Sequence, residues 1–189
     1  MKNFPLLLLC LLLFNMRAIA QNPEQRAIQT VRTFVKWYGT NWEKMEDFES
    51  KTINADRPFE LKEGEENPPY SINFKEAEKY IKSLSETGFF SEKYLGTLRG
   101  WFKEADRNFK ANPQNEGPPQ GFQSDRFFLT QDNFLEDIKN IDKIKITATL
   151  LKNNKADVRM YFPYCNMTYH YRLSSDKNGK WKIDSIKVN

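Results

Sequence analysis

Between Pro23 and Met45 the apolar positions Ala27, Ile28, Val31, Phe34, Val35, Tyr38 and Trp42 recur at steps of three and four. That spacing predicts an amphipathic helix. Asn22 before Pro23 supplies a cap and a first-turn proline, and Glu24 suits the positive end of the helix dipole. Gly39 and Thr40 weaken the pattern after Trp37 and Tyr38, which predicts an early exit with Trp42 in the exit turn. Two further helical stretches flank Thr87-Gly88. The first is lined by Phe74, Ala77, Tyr80, Ile81 and Leu84. The second is lined by Tyr94, Leu95, Leu98, Trp101, Phe102, Ala105 and Phe109, with Ser91 as its cap. Gly96 and Gly100, four apart on one face, predict close backbone packing against a neighbour.

The period then changes. Ile144, Ile146, Ala148 and Leu150 alternate with polar residues, and the same period of two returns in Val158, Met160 and Phe162 and in Met167, Tyr169, Tyr171 and Leu173. Asn153-Asn154 and Asp176-Lys177-Asn178-Gly179 carry hairpin-turn chemistry, and Trp181 and Ile183 open a closing strand. Helices first and hairpin-linked strands afterwards predict an α+β domain over residues 21–189, its helices on one face of an antiparallel sheet. Two segments break the periodicity: an acidic, Pro-bearing excursion at 47–73 and a Pro/Gly-rich loop at 112–123.

Composition changes the picture mainly at the start of the chain. Residues 1–20, MKNFPLLLLCLLLFNMRAIA, combine an early Lys2, an apolar run and a small-residue end at Ala18-Ile19-Ala20, which predicts a cleaved signal peptide. The apolar run is shorter than the ~20 residues of a membrane-spanning helix, so no transmembrane anchor is expected after cleavage. Loss of Lys2 and Arg17 lowers the formal charge from +4 to +2. The remaining charges alternate in sign, which argues against nucleic acid or an anionic membrane as the main partner. Cys165 alone survives cleavage, so no intramolecular disulfide forms, and a buried free thiol is the expectation.

Several stretches carry a resemblance: TVRTFVKWYG near the mature start, FFSEKYLGTLRG, DRFFLTQDNF and the final GKWKIDSI. With the order of elements, they make the chain resemble an exported bacterial domain-of-unknown-function family and the cone-shaped nuclear-transport-factor-two-like fold. The resemblance implies helices lying in the concavity of a curved sheet and a periplasmic or secreted location in a Gram-negative bacterium. It attaches no activity. A cystatin-type inhibitor also wraps a sheet around a helix, but its inhibitory loop is only echoed by Gln29-Thr30-Val31-Arg32-Thr33, inside a helix and without the glycine.

Candidate chemistry is sparse. One histidine, His170, and one mature cysteine give no ligand pair for a structural zinc site, and the Asp176 turn lacks the later ligands of a calcium loop. No metal or cofactor is implied. A His170–Asp132 pair, or a tyrosine facing a carboxylate in an apolar cone, would be the acid–base alternatives.

The stretch Ser124–Phe134, SDRFFLTQDNF, reads as a structural joint. Asp125 or Ser124, and Thr130 or Asp132, would accept backbone N–H groups, Gln131 would bridge helix and sheet, and three phenylalanines would anchor the core. A ligand-contacting rim is the competing reading. The tentative pocket set is Trp37, Tyr38, Trp101, Gln131, Asp132, Tyr169 and Tyr171. The expectation is therefore an exported, non-enzymatic binding module for a small apolar molecule or a protein partner. The alternatives are an envelope-interaction or toxin-inhibiting protein, which predicts an exposed apolar patch on the outer sheet face, and an acid–base enzyme.

Overall fold

A computed structural model describes residues 22–53, 64 and 66–188. The signal-peptide segment and residues 54–63 of the excursion lie outside the described residues. The described chain is α+β, with four helices preceding a four-stranded antiparallel sheet that does not close on itself.

Helix α1 (Pro23–Ser50) begins where the pattern predicts, with the Asn22 side chain accepting the Glu24 N–H. It does not exit at Gly39. The helix runs unbroken to Ser50, and Gly39 is a point of close approach within it: a Cβ there would stand 2.5 Å from Cγ2 of Ile138. Trp42 accordingly sits within the helix and packs edge-on against Phe134, and Met45 is buried beyond it. Overpacking of this kind costs about 1–3 kcal/mol, against about 1 kcal/mol of helix propensity gained. Gly39→Ala is therefore expected to lower the thermal midpoint; a raised midpoint would show that Ile138 yields freely.

Helix α2 (Phe74–Thr87) is capped by Asn73 and stopped by Gly88, whose φ of 72° is left-handed. Helix α3 (Glu92–Ala111) starts at Ser91, whose hydroxyl accepts the Tyr94 N–H. The close packing expected at Gly96 and Gly100 is not found: no atom outside the helix backbone lies within 4 Å of a Cβ at either position, so both face open space. The excursion is closed at its base by a bridge between Ile53 and Ile72. A short helix α4 (Phe134–Lys139) then leads to the sheet.

Strands β1 (Ile146–Leu151), β2 (Lys155–Phe162), β3 (Met167–Ser175) and β4 (Trp181–Val188) pair in sequence order as a meander. Asn153 and Asn154 both take positive φ in the β1–β2 turn, and Asp176 accepts the N–H groups of Asn178 and Lys180 in the β3–β4 turn. A bulge between Arg172 and Leu173 leaves Asp184 buried, where it accepts from the Ser174 hydroxyl. The exposed edge of β4 is covered: Ser91 donates to the Ile183 carbonyl and Ile183 to that of Phe89, which draws Phe90 into the core.

The inner face of the sheet presents Ala156, Val158, Met160, Phe162, Tyr169, Tyr171, Leu173 and Ile183 to α1. Its outer face carries Thr147, Asp157, Arg159, His170, Arg172 and Lys187. Leu151 and Tyr161 are exposed on the same face but stand at opposite ends of it, apart from each other. No described helix is long and apolar enough to cross a membrane.

Candidate functional site

The extension of α1 past Gly39 creates the site. Tyr38, Trp42, Glu46, Glu49 and Ser50 follow helical spacing and together form one wall of an open cavity of about 710 Å³. The opposite wall is the loop and joint from Pro119 to Leu135, and Ile53 and Tyr70 complete the lining. Tyr70 is fixed by its hydroxyl, which donates to the Gly117 carbonyl at 2.7 Å, and by its N–H on the Gln114 carbonyl at 2.8 Å. The cavity therefore lies beside the C-terminal half of α1, while the inner face of the sheet is filled by side chains.

No helix starts at Arg126, where the joint is a loop, whereas α4 begins at its last residue, Phe134, with Asn133 at the cap position. Asp125 Oδ1 accepts the N–H groups of Phe127 and Phe128, each at 2.8 Å, and Leu129, at a φ of 51°, turns the chain back so that the Asp125 N–H meets the Thr130 carbonyl. Asp125 Oδ2 accepts the Tyr38 hydroxyl at 2.5 Å, which ties the joint to α1. Phe127, Phe128 and Phe134 are buried anchors, as their spacing predicts. Thr130 accepts the Asp132 N–H and donates to Asp132 Oδ2.

Arg126 locks the other side. Its Nε and Nη2 donate to Glu49 Oε1 at 2.9 and 2.6 Å, its guanidinium carbon lies 3.5 Å from the centre of the Trp101 ring, and Nη2 reaches the Gly121 carbonyl. One side chain thus fastens α1, α3 and the 112–123 loop together. Burial raises the Glu49 pKa above the ordinary carboxylate range, and Arg126 offsets only part of this. Burial likewise raises Asp125, opposed by the Tyr38 hydroxyl and the two backbone donors. Burial, then the neighbouring Asp125 charge, pushes the Tyr38 phenol far upward, so it remains a hydrogen-bond donor.

Of the seven predicted pocket residues, Tyr38, Gln131 and Asp132 line the cavity. Trp101 stands behind it as the platform for Arg126. Trp37 packs against Phe34 and Phe89 away from the cavity. Tyr169, whose hydroxyl donates to the Phe128 carbonyl and whose ring meets that of Phe128 edge-on, and Tyr171, which meets Phe34 of α1 edge-on, are buried in the inner sheet face and do not line the cavity. Gln131 is exposed, and its side chain has no hydrogen-bond partner among the described residues, so it does not bridge helix and sheet.

The His170–Asp132 pair is not formed: His170 lies on the outer sheet face with Nδ1 3.5 Å from Asp157. Cys165 is buried and free, and burial pushes its thiol up to about 12. The backbone N–H groups of Tyr164 and Cys165 donate to Asp137. No group of metal-ligating side chains occurs among the described residues.

Sequence reasoning missed Glu46, Glu49, Tyr70 and Phe122. A signal for the first two existed: Glu46 and Glu49 continue the face of Tyr38 and Trp42 at helical spacing, once the helix is carried through Gly39. Set against protein-family models, curated proteins and solved structures, the chain finds no match in any of the three.

Proposed function

We propose that the protein is an exported, non-enzymatic binding module that holds a small ligand in the cavity between α1 and the joint. The observation that carries this is the cavity itself. At about 710 Å³ it falls within the size range of small-molecule sites, and its wall joins the aromatic rings of Tyr38, Trp42, Tyr70, Phe122 and Phe134 to a polar side that includes Glu46, Glu49, Gln131 and Asp132.

The non-enzymatic part is supported by how the polar groups are used. Asp125 spends both oxygens on the joint and on Tyr38, and Glu49 Oε1 is held by Arg126. The only histidine of the chain is on the far side of the sheet. Export to the periplasm or beyond is supported by the leader-like residues 1–20. A nuclear-transport-factor-two-like assignment is supported by the order of a long first helix, further helices and an antiparallel meander.

The test is native mass spectrometry of the protein purified gently from its own host. A reproducible bound mass is expected, and it should disappear in a Trp42→Ala variant that keeps its near-ultraviolet circular dichroism. A ligand-free protein in repeated preparations would overturn the proposal.

A further inference from the structure

Resting on that reading of the cavity, we infer that its ligand is an organic cation: a protonated amine or guanidinium carried on a flat apolar body. The wall bears Glu46, Glu49, Asp125 and Asp132, and no lysine or arginine lines it among the described residues. The chain as a whole is slightly basic, at +4, so this one-signed lining is local and does not reflect composition. Arg126, which reaches Glu49 from behind the wall, is already committed to the Trp101 face and to Glu49 Oε1.

Independently of the charge count, Glu49 keeps one oxygen unspent. Both guanidinium contacts fall on Oε1, and Oε2 has no hydrogen-bond partner among the described residues, although the side chain is only 18% exposed. A neutral apolar ligand would strip water from that oxygen without replacing it, and an anion would be repelled. An ammonium group supplies the missing donor, and the surrounding rings of Tyr38, Trp42, Tyr70, Phe122 and Phe134 suit both a cation over a π face and a stacked aromatic body. Glu46 and Asp132, exposed at the rim, extend the attraction outward.

A free amine and a lysine side chain in a peptide offer the same chemistry. The experiment is calorimetric titration of the purified protein with tryptamine, tryptophol and indole-3-acetate, three probes sharing one ring and differing in charge, and with a blocked tryptophanyl-lysine peptide. Tryptamine or the peptide should bind on the order of tenfold more tightly than tryptophol, with indole-3-acetate weakest. Whichever of the two binds more tightly identifies the source of the amine. Glu46→Gln with Asp132→Asn, both at exposed positions, should erode the preference for the amines over tryptophol severalfold.

Equal binding of tryptamine and tryptophol would overturn the charge inference while leaving the pocket proposal standing. Failure of all four probes, with a bound mass still seen in native spectra, would also overturn it alone. If native spectra are empty as well, both fall.

Discussion

A Phe34→Ala variant is expected to lose about 3–5 kcal/mol of stability, a large share of the roughly 5–15 kcal/mol that holds a domain of this kind folded. Phe34 is wholly buried on the face of α1 that meets the sheet. Its ring centre lies 5.2 Å from that of Phe90, 5.4 Å from Phe127 and 5.8 Å from Phe89, with Tyr38 and Tyr171 slightly farther. Those neighbours come from the α2–α3 link, the joint, α1 itself and β3, so no single element can collapse into the cavity that the ring would leave. Edge-on geometry at Phe89, Phe90, Phe127 and Tyr171 adds aromatic attraction beyond the buried area.

The measurement is the urea midpoint at unchanged slope. Phe74→Ala, at a residue 45% exposed, is the control and should shift stability by no more than about 0.5 kcal/mol. Should Phe34→Ala fail to fold, Phe34→Leu gives a smaller loss in the same direction. A loss no larger than that of the control would mean that the aromatic cluster does not organise the fold.

Most of the architecture was legible because helices and strands impose different periods on the same alphabet. The caps Asn22 and Ser91, the Gly88 stop and both asparagine-rich hairpin turns sit where local chemistry places them. Alternation assigns a residue to a face but not to a depth. The pattern therefore allows Tyr169 and Tyr171 as pocket walls, whereas Phe128 of the joint covers the first and Phe34 of α1 the second.

Gly39 misled for a related reason. Propensity treats a mid-helix glycine as a weakness, and only the approach of Ile138, from ninety-nine positions later, shows it to be a seat for α4. The acidic wall followed from that error, since ending the helix early removes Glu46 and Glu49 from the face they share with Tyr38. The joint was legible as a joint, because Asp125 and Thr130 act through short-range backbone bonds. Its fastening to α1 was not, because the Tyr38–Asp125 and Glu49–Arg126 contacts span eighty-seven and seventy-seven positions.

The Glu49–Arg126 pair predicts the second large effect, and one that changes with pH. Both side chains are mostly buried, 18% and 11% exposed, so removing the cation strands a carboxylate in a poorly solvated place. Arg126→Met, which keeps an unbranched stem against Trp101, is expected to cost about 3–5 kcal/mol at neutral pH. Glu49 already has a raised pKa in the folded state, burial outweighing the pull of Arg126. A raised carboxyl means the folded protein holds a proton that the unfolded chain has released. Its stabilising contribution is complete below the ordinary glutamate value and is lost as pH rises through the folded value.

Without Arg126 the folded value climbs further, so the variant should recover part of its stability on acidification from neutral to mildly acidic pH, as Glu49 takes up a proton. Adding Glu49→Gln should remove this pH dependence and restore much of the loss, since a neutral amide has no charge to strand. Urea midpoints of the three proteins at both pH values decide the matter. A single variant equally weak at both, or a double variant no better than the single, would show that Arg126 acts through packing on Trp101 and Phe122 rather than through the charge of Glu49.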